Sequence, residues 1–159
     1  MEKTLAMKLL EGKKIQYEAF TYSAEEREAK SVAEMLAVPP GQVFKTLVVV
    51  RPSAKPLLVM IPSDRQLDLK LLAQGVGEKK LKMALHKEAE ELTGLQVGGI
   101  SALAVGNRPF AVYLDTAARE YAQIFISAGQ KGINLKLAVK DLLKVSAARW
   151  LACSVIGEP

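Results

Sequence analysis

Val43-Phe44-Lys45-Thr46-Leu47-Val48-Val49-Val50 decides the fold, because it is a run of strand formers interrupted near its start by a single lysine. In a strand alternate side chains share a face, so Val43, Lys45, Leu47 and Val49 point one way and Phe44, Thr46, Val48 and Val50 the other. Both sets are mainly apolar, the pattern of a strand buried on both sides. An ammonium in that setting must reach water, meet a partner or line a polar cavity, since an unpaired charge in an apolar interior is costly or shifts its pKa. Two readings stay open. Lys45 snorkels to water where the strand enters the sheet, or it faces a functional pocket.

The flanks supply the rest of the fold. Pro52 to Pro56 reads as a turn, Leu57-Leu58-Val59-Met60-Ile61 as the returning antiparallel strand, and Pro62 closes it. Upstream, Leu5, Leu9 and Leu10 recur at helical spacing and predict a helix over 2–12 ended by Gly12. Alternation from Ile15 to Tyr22 predicts a strand that delivers Tyr22 to a charged loop, Ser23 to Lys30. Ser31-Val32-Ala33-Glu34 has capping-box spacing, and Pro39 and Pro40 are expected to stop the short helix it begins. Downstream, Asp68 can cap a helix carrying Leu69, Leu72 and Ala73, with Gly75 just past its end. Leu81, Met83 and Leu85 alternate with lysines, which predicts a short strand with one buried face. Lys79, Lys80, Lys82 and Lys87 then form either a solvated face or a contact for RNA phosphates. Glu88 to Leu92 reads as a short helix, Phe110 to Leu114, Gln123 to Ile126 and Leu135 to Leu137 as strands, and Val139, Leu142 and Leu143 as one face of a late helix. Helices and strands mix without a βαβ rhythm, a repeat or a linker, so one α+β domain is expected over residues 1–159.

Composition narrows the function classes. Half of the 159 residues are hydrophobic and a quarter charged, as in an ordinary soluble globular domain. No apolar window approaches the roughly eighteen residues of a membrane span. Met1-Glu2-Lys3-Thr4-Leu5 lacks a signal-peptide profile, so a cytoplasmic location is expected. A lone cysteine, Cys153, excludes an internal disulfide, and a lone histidine, His86, leaves no zinc-ligand spacing, so neither metal nor cofactor is expected. Cys153 lies in an apolar tail and reads as a small buried hydrophobe. The net charge of +5 suits a polyanion such as RNA. Against a general RNA-binding protein, the nine aromatic residues do not interleave with the lysines as a stacking platform requires.

Pro39-Pro40-Gly41-Gln42 leads into the lysine strand, the glycine-rich Thr93 to Ser101 segment lies about fifty residues on, and Ser127-Ala128-Gly129 follows. This ordered set resembles the YbaK family, stand-alone relatives of the editing domain inserted in bacterial prolyl-tRNA synthetases, and the resemblance runs to about Leu143. It implies a curled, mainly antiparallel mixed sheet approaching a barrel, flanked by helices, with a pocket between sheet and glycine loop. It also implies removal of wrongly attached amino acids from tRNA, with cysteinyl-tRNA(Pro) the expected substrate and prolyl-tRNA synthetase a further partner. By resemblance, Lys45 is the catalytic position and Tyr22, Thr46, Gly98, Gly99, Ser101, Ser127 and Gly129 are substrate contacts.

The residues allow that chemistry and plainer roles as well. Glycines let backbone N–H groups approach a substrate closely, and each donor aimed at a developing oxyanion contributes about 3 kcal/mol; a tight turn is the plain reading of Gly98-Gly99, as it is of Ser127 to Gly129. Lys45 can hold phosphate or ribose oxygens or stabilise charge on the ester, whereas a general base would need a strongly depressed pKa. No Ser-His-Asp order is present, and family members lack a conventional nucleophile, the substrate's own thiol or ribose hydroxyl assisting instead. The chain departs from its relatives at Ala102, where proline is frequent, at Asn134, where some carry aspartate, and in Glu26-Arg27-Glu28-Ala29, where many cysteinyl-tRNA deacylases have a phenylalanine. Those departures leave amino-acid specificity open, together with the alternative of a non-catalytic module binding an aminoacylated end, a nucleotide or a synthetase.

Overall fold

Strand β2 (Phe44–Val50) runs antiparallel to β3 (Leu57–Pro62), with Lys45 opposite Ile61 and Val49 opposite Leu57. The computed structural model describes residues 2–26, 31–52 and 54–157, so Arg27 to Lys30 of the charged loop and Ser53 of the β2–β3 turn lie outside it. β2 and β3 belong to a five-stranded sheet in the order β5 (Lys82–Met83), β2, β3, β6 (Ala111–Asp115), β9 (Arg149–Leu151). β3–β6 and β6–β9 are parallel, and β3 is buried along its whole length, as its unbroken apolar run requires. A second sheet pairs β1 (Tyr17–Thr21), β8 (Ile133–Ala138) and β7 (Gln123–Ser127) antiparallel. One bridge, Val43 to Phe125, ties β7 to the start of β2, so the two sheets curl toward a barrel. A small pair, β4 (Arg65–Leu67) and β10 (Ser154–Ile156), closes the architecture. The expected α+β, mainly antiparallel arrangement is therefore present.

Three helix starts follow side-chain caps. Thr4 accepts from the Met7 N–H at the head of α1 (Leu5–Gly12), Ser31 from the Glu34 N–H at α2 (Val32–Leu36), and Asp68 from Lys70 and Leu71 at α3 (Leu69–Val76). α4 (His86–Thr93) and α5 (Val139–Ser146) complete the set. Four expectations need correction. α1 begins at Leu5 rather than residue 2, because Thr4 is its cap. α2 ends at Ala37 in the left-handed conformation, φ 56°, before either proline acts; Pro40 instead opens a 3-10 turn, Pro40–Gln42. Gly75 lies inside α3, where a Cβ would fall 2.2 Å from Leu151 Cδ1, and Gly77 makes the cap. Leu85 is 69% exposed and Met83 38%, so no buried face forms there; β5 holds only two residues and Leu85 already begins α4.

The five-stranded sheet is covered on both faces. Phe44, Val48, Leu58, Met60 and Leu114 join α1 and the second sheet in the larger core, while Val49, Leu57, Val59 and Ile61 pack with Leu72 of α3 and Cys153. Asp115, 2% exposed at the end of β6, accepts from the N–H groups of Ala117, Cys153 and Ser154 and from the Ser154 hydroxyl, at 2.8–3.1 Å. This fully satisfied carboxylate ties the C-terminal segment to the sheet.

Candidate active site

One edge of β2 is occupied by β3. Along the other, the bridge to Phe125 sits at Val43 and β5 begins only at Val49, leaving a gap between them. The Val43 carbonyl accepts from Ser63 N–H on the β3 side (2.7 Å), and the Val48 carbonyl from Ala84 N–H on the opposite side (3.0 Å). Successive peptide groups alternate in direction along a strand, so the N–H and C=O of Thr46 face the gap. Neither has a partner among the described residues. A cavity of about 400 Å³ lies against this open edge, and because it wraps around the edge it is lined by both Lys45 and Thr46, which belong to opposite faces of the sheet.

Lys45 is half-buried, and its Nζ donates to the Ser63 carbonyl in a long contact of 3.4 Å. Burial lowers its pKa, and the Asp64 carboxylate opposes that shift. Ser63 is itself fixed, its hydroxyl donating to Pro40 O at 2.8 Å. An ammonium has three donors, so one long contact leaves capacity for a ligand. Among the described residues no carboxylate lines the cavity.

The glycine loop contributes Val97, Gly98 and Ile100 to the wall. Gly98 adopts φ +97° and its N–H has no partner among the described residues. Gly99 differs: its N–H donates to Gln96 O at 2.8 Å, and an added Cβ would lie 2.9 Å from Lys131 N and 3.1 Å from Gln130 Cα. It lets the loop press against the β7–β8 turn and has no donor left for substrate. Ser101 is fully buried, its Oγ accepting from Leu103 N–H at 3.2 Å. Gly129, φ +94°, donates its N–H to Ser127 Oγ, and a Cβ there would meet Ala104 Cβ at 2.6 Å. Tyr22, Lys45, Thr46, Gly98 and Ser127 are thus brought together at the cavity, whereas Gly99, Ser101 and Gly129 stand behind it and shape its wall.

Asn134, one of the departures from the family pattern, also lines the cavity. It lies on β8 opposite Ser127 and Phe20, is 4% exposed, and its Oδ1 has no partner among the described residues. Leaving such an acceptor unpaired costs about 1–3 kcal/mol. The available sequence signal is an amide flanked by Ile133 and Leu135 on the strand face it shares with Lys136. His86, at the start of α4, does not line the cavity. Cys153 is buried in the other core, its thiol pushed up to about 12 by burial and by Asp115. Among the described residues no three His, Cys, Asp or Glu side chains converge as metal ligands, and no helix is long and apolar enough to cross a membrane.

Comparison with known proteins gives consistent matches. A family model described as the aminoacyl-tRNA editing domain matches residues 23–145. A protein of Enterococcus faecalis named as a Cys-tRNA(Pro)/Cys-tRNA(Cys) deacylase is 37% identical over 151 residues, covering 94% of this chain and 92% of that protein. A proline–tRNA ligase of Thermodesulfovibrio yellowstonii is 32% identical over 77 residues, 48% of this chain and 13% of the ligase. A crystal structure described as a trans-editing enzyme for prolyl-tRNA synthetase matches with a TM-score of 0.83 at 25% identity, covering 98% of this chain and 99% of that one. Another, described as a hypothetical protein, shares the fold at a TM-score of 0.83 and 20% identity, covering 95% and 99%.

Proposed function

The chain belongs to the aminoacyl-tRNA editing domain family, and we propose that it hydrolyses the ester of mischarged tRNA, cysteinyl-tRNA(Pro) first among them, in the cavity at the open edge of β2. In this reading residues 1–159 act as one editing domain in the cytoplasm, and prolyl-tRNA synthetase, which makes the mischarged product, is the associated partner. The carrying observation is that Lys45 and Gly98, far apart in sequence, line one cavity in a chain 37% identical to a deacylase over nearly its whole length.

Hydrolysis adds water across the bond between the aminoacyl carbonyl carbon and the ribose oxygen, releasing the amino acid and restoring the terminal hydroxyl of the tRNA. As the carbonyl carbon is attacked its oxygen becomes anionic. The Gly98 N–H and the Lys45 ammonium are the donors for that charge, each worth about 3 kcal/mol when correctly aimed. Lys45 serves as a cation that binds and stabilises: burial lowers its pKa, but the Ser63 carbonyl and the Asp64 carboxylate beside it favour the protonated form. The Thr46 carbonyl and the Asn134 amide provide acceptors for the α-ammonium and ribose hydroxyls. Val43, Phe44, Leu47, Val97 and Ile100 form an apolar wall that strengthens these interactions by excluding water. Among the described residues no Ser-His pair lines the cavity, so a water is the nucleophile: held by the substrate's own thiol or ribose hydroxyl, it attacks the carbonyl carbon and passes a proton to the departing ribose oxygen.

A panel of mischarged tRNAs, followed for loss of each ester, tests the reading. Cysteinyl-tRNA(Pro) should be cleared fastest and correctly charged prolyl-tRNA spared. Tight binding without loss of any ester would overturn hydrolysis and leave a binding module.

A further inference from the structure

A second cavity, of about 600 Å³, lies at the far end of β2 and is ringed by Arg51, Lys70, Lys79, Lys80 and Lys82. Its floor is apolar, formed by α3 and Leu81, and among the described residues no carboxylate lines it. Arg51 is paired with Glu78 at 3.4 Å, but none of the four lysines has a carboxylate partner among the described residues. Four unpaired like charges around one groove repel one another, and a polyanion relieves that repulsion. The groove also has a defined place relative to Lys45. β5, which supplies Lys82, covers the edge of β2 at Val49 and Val50, directly beyond the gap that forms the active-site cavity. Five residues of strand separate Lys45 from Val50, about 17 Å at roughly 3.3 Å per residue. An ester held at Lys45 is the end of a polynucleotide whose preceding phosphates must leave the cavity, and the edge of β2 leads from one site to the other.

We propose that this lysine-rimmed groove binds the ribose–phosphate backbone of the tRNA acceptor arm, the phosphates on the lysines and the sugar faces on the apolar floor. The proposal rests on the editing reading for its ligand, and its test separates the two. The triple variant Lys79→Ala, Lys80→Ala, Lys82→Ala is compared with the parent in binding uncharged tRNA across a salt series. Each lost phosphate contact flattens the log–log salt dependence by about 0.7–0.9, so the slope should fall by about 2 to 3, while hydrolysis of an aminoacyl-adenosine too short to reach the groove stays at the parent rate. A triple variant at Lys8, Lys13 and Lys14, exposed on and just after α1, removes the same charge and should leave the slope unchanged. Lys→Arg replacement at positions 79, 80 and 82 should retain it. An unchanged slope in the groove variant, or an equal fall in both alanine triples, overturns the proposal. Loss of aminoacyl-adenosine hydrolysis in the groove variant also overturns it, because the residues would then act on the cavity. If the parent hydrolyses no ester yet shows the groove-dependent slope, the groove stands and the editing reading falls.

Discussion

Lys45→Met keeps a long flexible side chain on β2 and removes its charge, so it separates chemistry from packing. In the folded protein the ammonium makes one hydrogen bond among the described residues, 3.4 Å to the Ser63 carbonyl, which contributes little at that length. Against substrate it supplies a charge-assisted hydrogen bond, worth about 1.5–3 kcal/mol. At 1.36 kcal/mol per tenfold, kcat/KM on cysteinyl-tRNA(Pro) should fall by about 10- to 160-fold. Stability should move the other way. Burial lowers the folded-state pKa of Lys45 below the ordinary lysine value of 10.5, so the unfolded chain binds the proton more tightly. Parent stability should therefore rise as pH climbs from the folded pKa toward 10.5. The methionine variant lacks this titration; its thermal midpoint should match or exceed the parent's near neutrality, with the difference shrinking as pH approaches 10.5. The assay is steady-state ester loss together with thermal unfolding at several pH values. Parent-level turnover, or a loss of turnover accompanied by a lowered midpoint, would refute the role given to Lys45.

Asn134→Leu should raise KM for cysteinyl-tRNA(Pro) at least tenfold while leaving the thermal midpoint equal or higher, because it removes a buried acceptor worth about 1–3 kcal/mol when unpaired; a lowered midpoint with normal kinetics would return Asn134 to a structural role. Gly99→Ala places a methyl 2.9 Å from backbone at Lys131 and should cost about 1–3 kcal/mol in denaturant unfolding, with activity falling further because the adjoining Gly98 moves; full activity at reduced stability would contradict that coupling. Asp115→Ala strands three backbone N–H groups and, at about 1–3 kcal/mol for a buried donor left unpaired, should lower unfolding free energy by at least about 3 kcal/mol, read by urea titration, whereas an unchanged midpoint would show that water replaces the carboxylate.

Much of the fold was legible because its signals are local. The β2–β3 pair follows from two apolar runs around a turn, and the Ser31 and Asp68 caps follow from side-chain chemistry at the right spacing. The failures are tertiary. Gly75 reads as a helix end until Leu151 packs against it, and Leu85 reads as a buried strand residue until α4 claims it. The site divides in the same way. Lys45 stands out by its apolar setting, but Gly98 and Gly99 are indistinguishable as letters. Only the turn bond to Gln96 shows that one has a free N–H and the other does not. Ser101 has the polarity of a contact residue, yet its hydroxyl is engaged by Leu103 N–H. Asn134 is singled out as a cavity residue once β1 and β7 enclose β8 and leave its Oδ1 without a partner among the described residues.

The gap beside Thr46 also bears on self-association. An exposed sheet edge with unpaired peptide groups is a template on which another chain can add a strand. Here the template is confined to the few residues between Val43 and Val49, and the glycine loop and α2 flank it as walls of the same cavity. An incoming strand needs a longer run of edge than that, whereas a small polar ligand does not. The loop that shapes this cavity thus acts as a guard against aggregation, and substitutions that displace it endanger solubility as well as the proposed turnover.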